Sequence, residues 1–170
     1  MLGASCLLLA LCSFNGNDIV KIVARKWQIE SVRTDAIDKK LAEAKEQFDT
    51  TKDQDSKGKL VMSVAPLQMM KNLANSMNGA SMEFRIDSTY SYNGSFNGQD
   101  SKILGKWYIT NDGKELILNH SNDSKKNDTA DIISASENLL TLNAKLTTGM
   151  AVITGGTGIS GMVITMKAIE

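Results

Sequence analysis

The chain has 170 residues, enough for one domain with a substantial core, because about 150 residues bury roughly two-thirds of their unfolded surface. Its 19 basic and 19 acidic residues balance, which excludes a chain-wide field favouring nucleic acid or an anionic membrane. The two cysteines, Cys6 and Cys12, lie close to the start, so the sequence predicts neither a disulfide within the body nor a cysteine zinc site.

Residues 1–12 have the composition of an export leader. The run up to Leu11 is short, apolar and rich in leucine, and it is too short to anchor in a bilayer as a helix. Cys12 stands where a bacterial lipoprotein would be cleaved and lipidated, with Cys6 as the alternative position. Ordinary cleavage after Cys12 is another interpretation, and so is a buried N-terminal element of a cytosolic protein. We predict an exported periplasmic or outer-membrane lipoprotein whose contact with the membrane is the lipid anchor alone.

The domain that we place at residues 13–170 begins with a strand. Within 23–32, Trp27 and Ile29 share one face and alternate with polar positions, which is the period of a half-buried strand. The tetrapeptide KWQI in this strand returns as KWYI around Trp107. We interpret the two tryptophans as side chains of one common core.

A helical insert is predicted at about 35–78. Apolar residues recur at helical spacing in its first helix: Ile37, Leu41, Ala44 and Phe48. A polar loop is expected over 50–59, and a second helix over 60–77 with Pro66 in its first turn. The apolar stripe of the second helix consists of Leu67, Met70, Leu73 and Met77.

The segment 103–120 carries the strongest local signal of the chain. Asp112-Gly113 favours a tight hairpin turn, because both residue types tolerate a positive φ. With the turn there, Ile109 pairs with Leu116 and Trp107 pairs with Leu118, so all four share one face. Turn chemistry and hydrophobic pattern therefore predict the same register.

The other strands arrive at steady intervals, with turns at Asp87-Ser88 and Asn97-Gly98. They are predicted around Met82–Ile86 and Tyr90–Phe96, and at 130–135, 139–146 and 162–169. About eight strands in up-and-down order, joined by short hairpins, indicate an all-β protein whose antiparallel sheet closes into a barrel. One or two helices are inserted after the first strand.

The order of these motifs resembles the lipocalin-like domains of small secreted lipoproteins in Bacteroidetes-type bacteria. The motifs that carry the resemblance are KWxI, MEFRIDSTYSY, GKWYITNDGKELIL, SENLLTLNAKL and MVITMKAI, which together span most of 23–170. The resemblance implies a calycin-like barrel in the cell envelope, and it implies no known ligand. The last strand has no arginine to stack on Trp27, and Lys167 is the nearest substitute.

A barrel of this size is either filled by side chains or holds one small ligand, and we favour a filled interior. The candidates for ligand contacts inside it are Trp27, Phe84, Tyr90, Tyr92 and Trp107. Met69, Met70 and Met77 are candidates for a lid, because thioether side chains adapt to irregular ligands. Packing of their helix on the barrel end is the simpler interpretation of these methionines.

Two motifs resemble parts of enzyme active sites, and we interpret both as non-catalytic. The glycine-rich stretch 154–161 resembles a dinucleotide-binding loop but lacks the helix that such a loop requires. His120 is followed by Ser121 and Asp123 in one polar loop, and such neighbours do not build a catalytic triad, so we interpret it as a surface histidine. We predict no enzymatic activity, cofactor, metal site or nucleic-acid partner.

Together these observations predict an exported lipocalin-like protein that binds a small apolar or amphipathic ligand without catalysis. The alternative is a structural or interaction lipoprotein of the cell envelope, with a filled barrel and no ligand. In that case the helices or an exposed strand edge would dock to an envelope protein.

Overall fold

The computed structural model describes residues 16–96, 98–110, 112–120, 127–145 and 160–170. Their elements, in chain order, are α1 (Gly16–Val23), β1 (Lys26–Arg33), α2 (Asp35–Thr50), α3 (Gln54–Met77), β2 (Ser81–Phe84), β3 (Thr89–Phe96), β4 (Gln99–Thr110), β5 (Glu115–His120), β6 (Asn127–Ala135), β7 (Leu139–Lys145) and β8 (Ser160–Ala168). Each strand pairs antiparallel with the next, and β8 pairs with β1. The prediction is confirmed: the protein is a closed, eight-stranded, up-and-down, lipocalin-like barrel with two helices inserted after β1.

The β4–β5 hairpin has the predicted register. Trp107 pairs with Leu118 and Ile109 pairs with Leu116. Asp112 and Gly113 adopt φ values of 54° and 88°, the left-handed conformation that a tight hairpin turn needs. The turn thus fixes which side chains of both strands face the barrel interior.

The barrel has two different ends. We call the lower end the one with the β2–β3, β4–β5 and β6–β7 turns, where β1 begins and β8 stops. At the upper end the chain leaves β1 for α2, returns from α3 to β2, and passes from β5 to β6 and from β7 to β8. The glycine-rich stretch 154–161 lies outside the described residues, except for Ser160 and Gly161.

Helix α1, which the sequence analysis missed, caps the lower end. Its side chains Ile19 and Val23 are buried in the barrel core. The Trp27 indole N–H donates to the carbonyl of Val23 at 2.9 Å, and a Cβ on Gly113 would lie 3.2 Å from Ile19. The predicted first strand therefore starts too early, because Val23 ends this helix and β1 begins at Lys26.

Helices α2 and α3 pack together on the upper end, beside β1 and β8. The contact is apolar and consists of Ile37, Leu67, Met70, Ala74 and Met162. The Lys71 ammonium donates to the Asp38 carboxylate at 2.5 Å, and the Thr34 hydroxyl donates to the same group. These bonds, that of Lys71 first, hold the pKa of Asp38 below its usual value. None of the three described helices combines the length and apolar character needed to cross a membrane.

The predicted loop over 50–59 is wrong in its second half. Helix α3 begins at Gln54, because the Asp53 carboxylate accepts a hydrogen bond from the Ser56 backbone N–H at 2.8 Å and caps the helix. Pro66 consequently lies inside the helix and not in its first turn. The polar residues that suggested a loop form the first turns of this capped helix, where they face solvent.

Leu140 and Leu139 are neighbours on β7 that test the inward and outward faces directly. Leu140 is fully buried, whereas Leu139 is 41% exposed. We expect Leu140→Ala to lower the free energy of unfolding by about 2–5 kcal/mol, the usual cost of a core cavity. Urea denaturation should show less than about 1 kcal/mol for the matched Leu139→Ala. Equal losses would contradict this assignment of faces.

Candidate functional site

Three of the five predicted interior aromatics form a packed floor in the lower part of the barrel. Trp27, Phe84 and Trp107 are 0%, 1% and 3% exposed. The Phe84 and Trp107 rings meet edge to face with centroids 5.4 Å apart. The Trp107 indole N–H donates to the carbonyl of Arg85 at 2.9 Å. With their polar atoms bonded to backbone, these side chains have the character of structural core.

Arg25 closes the floor from below. Its guanidinium carbon lies 5.7 Å from the centroid of the Trp27 ring, and the group also donates to the carbonyl of Glu137. The cation that stacks on Trp27 is therefore Arg25, which directly precedes β1, and not a residue of the last strand. Lys167, the substitute considered from sequence, is exposed.

Tyr90 and Tyr92, the other two predicted aromatics, lie against glycines higher in the barrel. A Cβ on Gly105 would lie 2.6 Å from the Tyr90 ring and would also clash with the carbonyl of Asn119. A Cβ on Gly94 would collide with the Tyr92 hydroxyl and lie 2.9 Å from Ala80. The two glycines therefore leave the room in which the tyrosine rings lie along the wall.

His120 links Tyr90 to Asp128, and its interpretation as a surface residue is wrong. Its Nδ1 lies 2.6 Å from the Tyr90 hydroxyl and its Nε2 lies 2.7 Å from Oδ2 of Asp128. The His120 side chain is 24% exposed, and the Asp128 side chain is 59% exposed. A hydrogen-bonded array therefore runs from the buried Tyr90 to the rim of the barrel.

The hydrogen-bond partners assign the protons of this array. A carboxylate only accepts, so neutral His120 carries its proton on Nε2 and donates it to Asp128. Nδ1 is then an acceptor and receives the Tyr90 O–H. Burial, and then the charge of Asp128, raises the pKa of Tyr90 to about 12, so this hydroxyl stays protonated at neutral pH.

Around this array, several inward-facing residues are only partly buried. Tyr92, Leu118 and Ala144 are half-buried, and Ile103, which pairs with Tyr92 on the same face, is 37% exposed. We call the set Tyr92, Ile103, Leu118, His120 and Asp128 the upper mouth. In a closed barrel, exposure of an inward side chain means that solvent reaches the inner face from the end.

The three methionines predicted as a lid have different surroundings. Met70 is 1% exposed in the contact between α3 and the barrel, and Met77 packs against the main core. Met69 directly precedes Met70 on α3 and is 52% exposed. Met70 and Met77 therefore belong to the packing of the helix on the barrel end, and Met69 faces away from it.

Charge on the inner wall is confined to the rim. By strand alternation, Asp128 is the acidic residue among the inward positions of the described strands, and none of those positions is lysine or arginine. Lys145 faces the outer surface, where it binds Glu115 at 2.9 Å and Asp131 at 2.6 Å. Within the described ranges, no group of three or more His, Cys, Asp or Glu side chains could hold a metal ion.

Comparison with protein-family models gives no match, and comparison with curated proteins gives none either. The resemblance to lipocalin-like lipoproteins therefore stays a prediction about family, although the barrel that it implies is confirmed. Cys12, predicted to be lipidated, lies outside the described residues.

The two tyrosines of β3 provide a matched test of the array. Tyr90→Phe leaves Nδ1 of His120 without its donor, and we expect a loss of about 1–2 kcal/mol in the free energy of unfolding. Tyr92 has no hydrogen-bond partner in the part of the chain that the structure describes, so Tyr92→Phe should cost about 0.5 kcal/mol or less. Urea denaturation at neutral pH measures both, and equal effects would contradict the array.

Tyr90 also gives the fold a dependence on alkaline pH. The ordinary pKa of tyrosine is 10.0 and that of Tyr90 is about 12, so the unfolded chain loses this proton first as pH rises. The contribution of Tyr90 is therefore fully present below pH 10 and is lost towards pH 12. Urea titrations across this window should show a shallower fall in stability for Tyr90→Phe than for the wild type.

Proposed function

We propose that the barrel binds a small amphipathic molecule at its upper mouth, without catalysis. The observation that carries this proposal is Ile103, an inward-facing apolar side chain that is 37% exposed. Leu118 and the Tyr92 ring supply further apolar surface beside it, and His120 and Asp128 supply a polar edge. An apolar wall with a few converging polar groups is typical of small-molecule sites.

The packed floor limits how deep such a ligand can go. Trp27, Phe84 and Trp107 are almost completely buried, and displacing them would break their contacts and their bonds to backbone carbonyls. The ligand therefore occupies the upper part of the barrel. This proposal divides the interior, with a lower part filled by side chains, as expected from sequence, and an upper part that accepts a ligand.

The array argues against a catalytic role for the histidine. Both ring nitrogens of His120 are engaged within the protein, one with Tyr90 and one with Asp128. A general base needs a nitrogen within hydrogen-bond reach of the proton that it removes. The raised pKa of Tyr90 also makes its hydroxyl a poor base or nucleophile at neutral pH. We therefore propose a binding protein and not an enzyme.

A larger side chain at the upper mouth tests the proposed ligand binding. Ile103→Trp places a large side chain on the inner face, and we expect it to weaken binding of N-phenyl-1-naphthylamine, a neutral apolar fluorophore, by about tenfold or more. Leu104→Trp adds the same side chain at the next position, which faces outward and is 48% exposed. The measurement is the rise in probe fluorescence during titration.

The Leu104→Trp variant should bind the probe as the wild type does. Equal binding by the two variants, or no binding by the wild type, would contradict the proposed site. Circular dichroism of both variants checks that the barrel is intact.

We propose further that the protein is exported and anchored by a lipid on Cys12, with the barrel in the periplasm or at the outer membrane. The leucine-rich start and the position of Cys12 support this proposal. Mass spectrometry of the mature N-terminus from the native host tests it. A lipidated cysteine as first residue is the expected result, and an intact Met1 would contradict export.

A second candidate function is docking to an envelope protein through α3. Val61, Met62 and Met69 expose 56%, 77% and 52% of their surface on this helix. Large apolar side chains exposed on one element favour an interaction surface. Met62→Glu with Met69→Glu should abolish such docking in pull-downs from envelope fractions and leave probe binding at the mouth unchanged.

A further inference from the structure

The lipid proposed on Cys12 would be attached close to the lower end of the barrel. Residues 13–15 separate Cys12 from Gly16, where α1 begins. The four Cα–Cα steps from Cys12 to Gly16 span at most about 15 Å, whatever path the chain takes. Helix α1 closes the lower end, with Ile19 and Val23 buried in the core. Since acyl chains lie in the bilayer, a lipid on Cys12 would hold this end of the barrel next to the membrane.

A tether at the lower end allows two orientations of the barrel. Strand β3 has eight residues and runs from the β2–β3 turn at the lower end to the upper end. At the usual rise per residue and the usual tilt of barrel strands, the two ends lie about 20 Å apart. A barrel standing on its lower end therefore opens its mouth to water, whereas a barrel lying on its side brings its outer wall to the bilayer. The surfaces at the end and on the wall decide between these orientations.

Exposed apolar side chains surround the lower end. Ile86, in the β2–β3 turn, exposes 77% of its surface. On the opposite side of the barrel, Ile133 near the end of β6 and Leu139 at the start of β7 are 56% and 41% exposed. Helix α1, which covers the opening between them, leaves Ile22 partly exposed. Apolar side chains that enter the head-group boundary strengthen membrane binding in proportion to the area that they bury.

The charges favour the end of the barrel over its wall. The lower end has exposed side chains of both signs, which give it no strong net charge: Lys21, Lys26, Lys114, Asp18, Asp112 and Glu137. The outer wall of β5, β6 and β7 instead carries Lys145 bound to Glu115 and Asp131. Covering these ion-paired groups with lipid would remove them from water, which is costly. Apolar contact at the lower end has no such cost.

We propose that the barrel stands with its lower end on a lipid bilayer, with Ile86 and Leu139 in the head-group region and the upper mouth open to water. The proposal rests on the lipid anchor at Cys12 proposed above. It adds a contact through protein side chains to the lipid, the only membrane contact expected from the sequence. A ligand of the upper mouth is then exchanged with the aqueous phase and is not taken laterally from the membrane.

Quenching of a fluorescent label by the bilayer measures which end faces it. The lipidated protein is purified from the native host and reconstituted into vesicles of phosphatidylethanolamine and phosphatidylglycerol that contain a lipid with a nitroxide at its head group. One NBD label is attached at Asn138→Cys in the β6–β7 turn, or at Asp100→Cys near the upper end of β4, and both positions are exposed. With Cys12 lipidated and Cys6 removed with the leader, the introduced cysteine is the one free thiol.

We expect quenching at position 138 and none above background at position 100, because the upper end lies about 20 Å farther from the head groups. Equal quenching at the two positions, or stronger quenching at position 100, would overturn the orientation.

A charge at the tip of the β2–β3 turn tests the apolar contact. Ile86→Glu should lower the ratio of docked to undocked barrels by about tenfold, seen as lost quenching at position 138. The matched control is Met62→Glu, which places the same charge on a side chain of α3 that is also 77% exposed. This control should keep the wild-type quenching. Equal effects of the two variants would overturn the contact at Ile86.

Salt provides a test that needs no variant at Ile86. Ionic strength screens exposed charges and leaves apolar contacts in place, so added sodium chloride should not change the quenching at position 138. Loss of quenching with salt would overturn the apolar nature of the contact.

Mass spectrometry of the same preparation separates the inference from the anchor that it rests on. If Cys12 carries no lipid, the proposed anchor fails and the orientation falls with it. If Cys12 carries the lipid and both labels are quenched equally, the anchor stands and the orientation alone falls. Ligand binding at the upper mouth is tested independently by Ile103→Trp.

Discussion

Closure of the sheet by pairing of β1 with β8 is the constraint on which the rest of the structure depends. It gives every strand one inward face, and the side chains on those faces must fill the barrel or line its end. Two β-bulges, one in β1 and one in β6, keep the apolar side chains of these strands on the inner face of the barrel. The register shifts between Ile29 and Ser31 and between Ile132 and Ser134, so one extra residue in each strand lets the apolar positions on both sides of it face inward.

The inner face is divided along the barrel axis. Below, large aromatics pack on one another, and α1 and Arg25 close the end. Above, Gly94 and Gly105 make room for two tyrosine rings, and His120 and Asp128 bring polar groups to the rim. A polar group this close to an apolar core is costly unless it is bonded. The array meets that requirement from its own members, because His120 is bonded to Tyr90 through one ring nitrogen and to Asp128 through the other.

Local patterns were sufficient to predict most of the barrel. Asp112-Gly113 determined one hairpin register, and alternation placed Trp27 and Trp107 inside. The same alternation could have placed His120 inside, because it continues Leu116 and Leu118 on one face of β5. The polar residues that follow it suggested a surface position instead. For His120, the alternation of β5 is therefore a better predictor of the side-chain direction than the polar composition of the residues that follow it.

Other features depend on contacts that no local pattern specifies. The hydrogen bond between His120 and Tyr90 joins positions 30 residues apart. It also depends on Gly105, because a Cβ at that position would clash with the Tyr90 ring. Helix α1 is stabilised by its contacts with the barrel end, where Ile19 and Val23 are buried. Its own short apolar segment carries no clear helical pattern, and we therefore predicted that the first strand begins at Val23. The early start of α3 depends on one cap, Asp53, within a stretch whose composition is that of a loop.

His120 is the only histidine of the sequence, so histidine labelled with nitrogen-15 reports this one ring by nuclear magnetic resonance, in protein without an affinity tag. We expect the neutral form of the ring to carry its proton on Nε2, and we expect the ring signals to shift saturably as N-phenyl-1-naphthylamine is added. A neutral ring with its proton on Nδ1, or signals that stay unchanged while probe fluorescence records binding, would contradict the placement of the ligand beside the array.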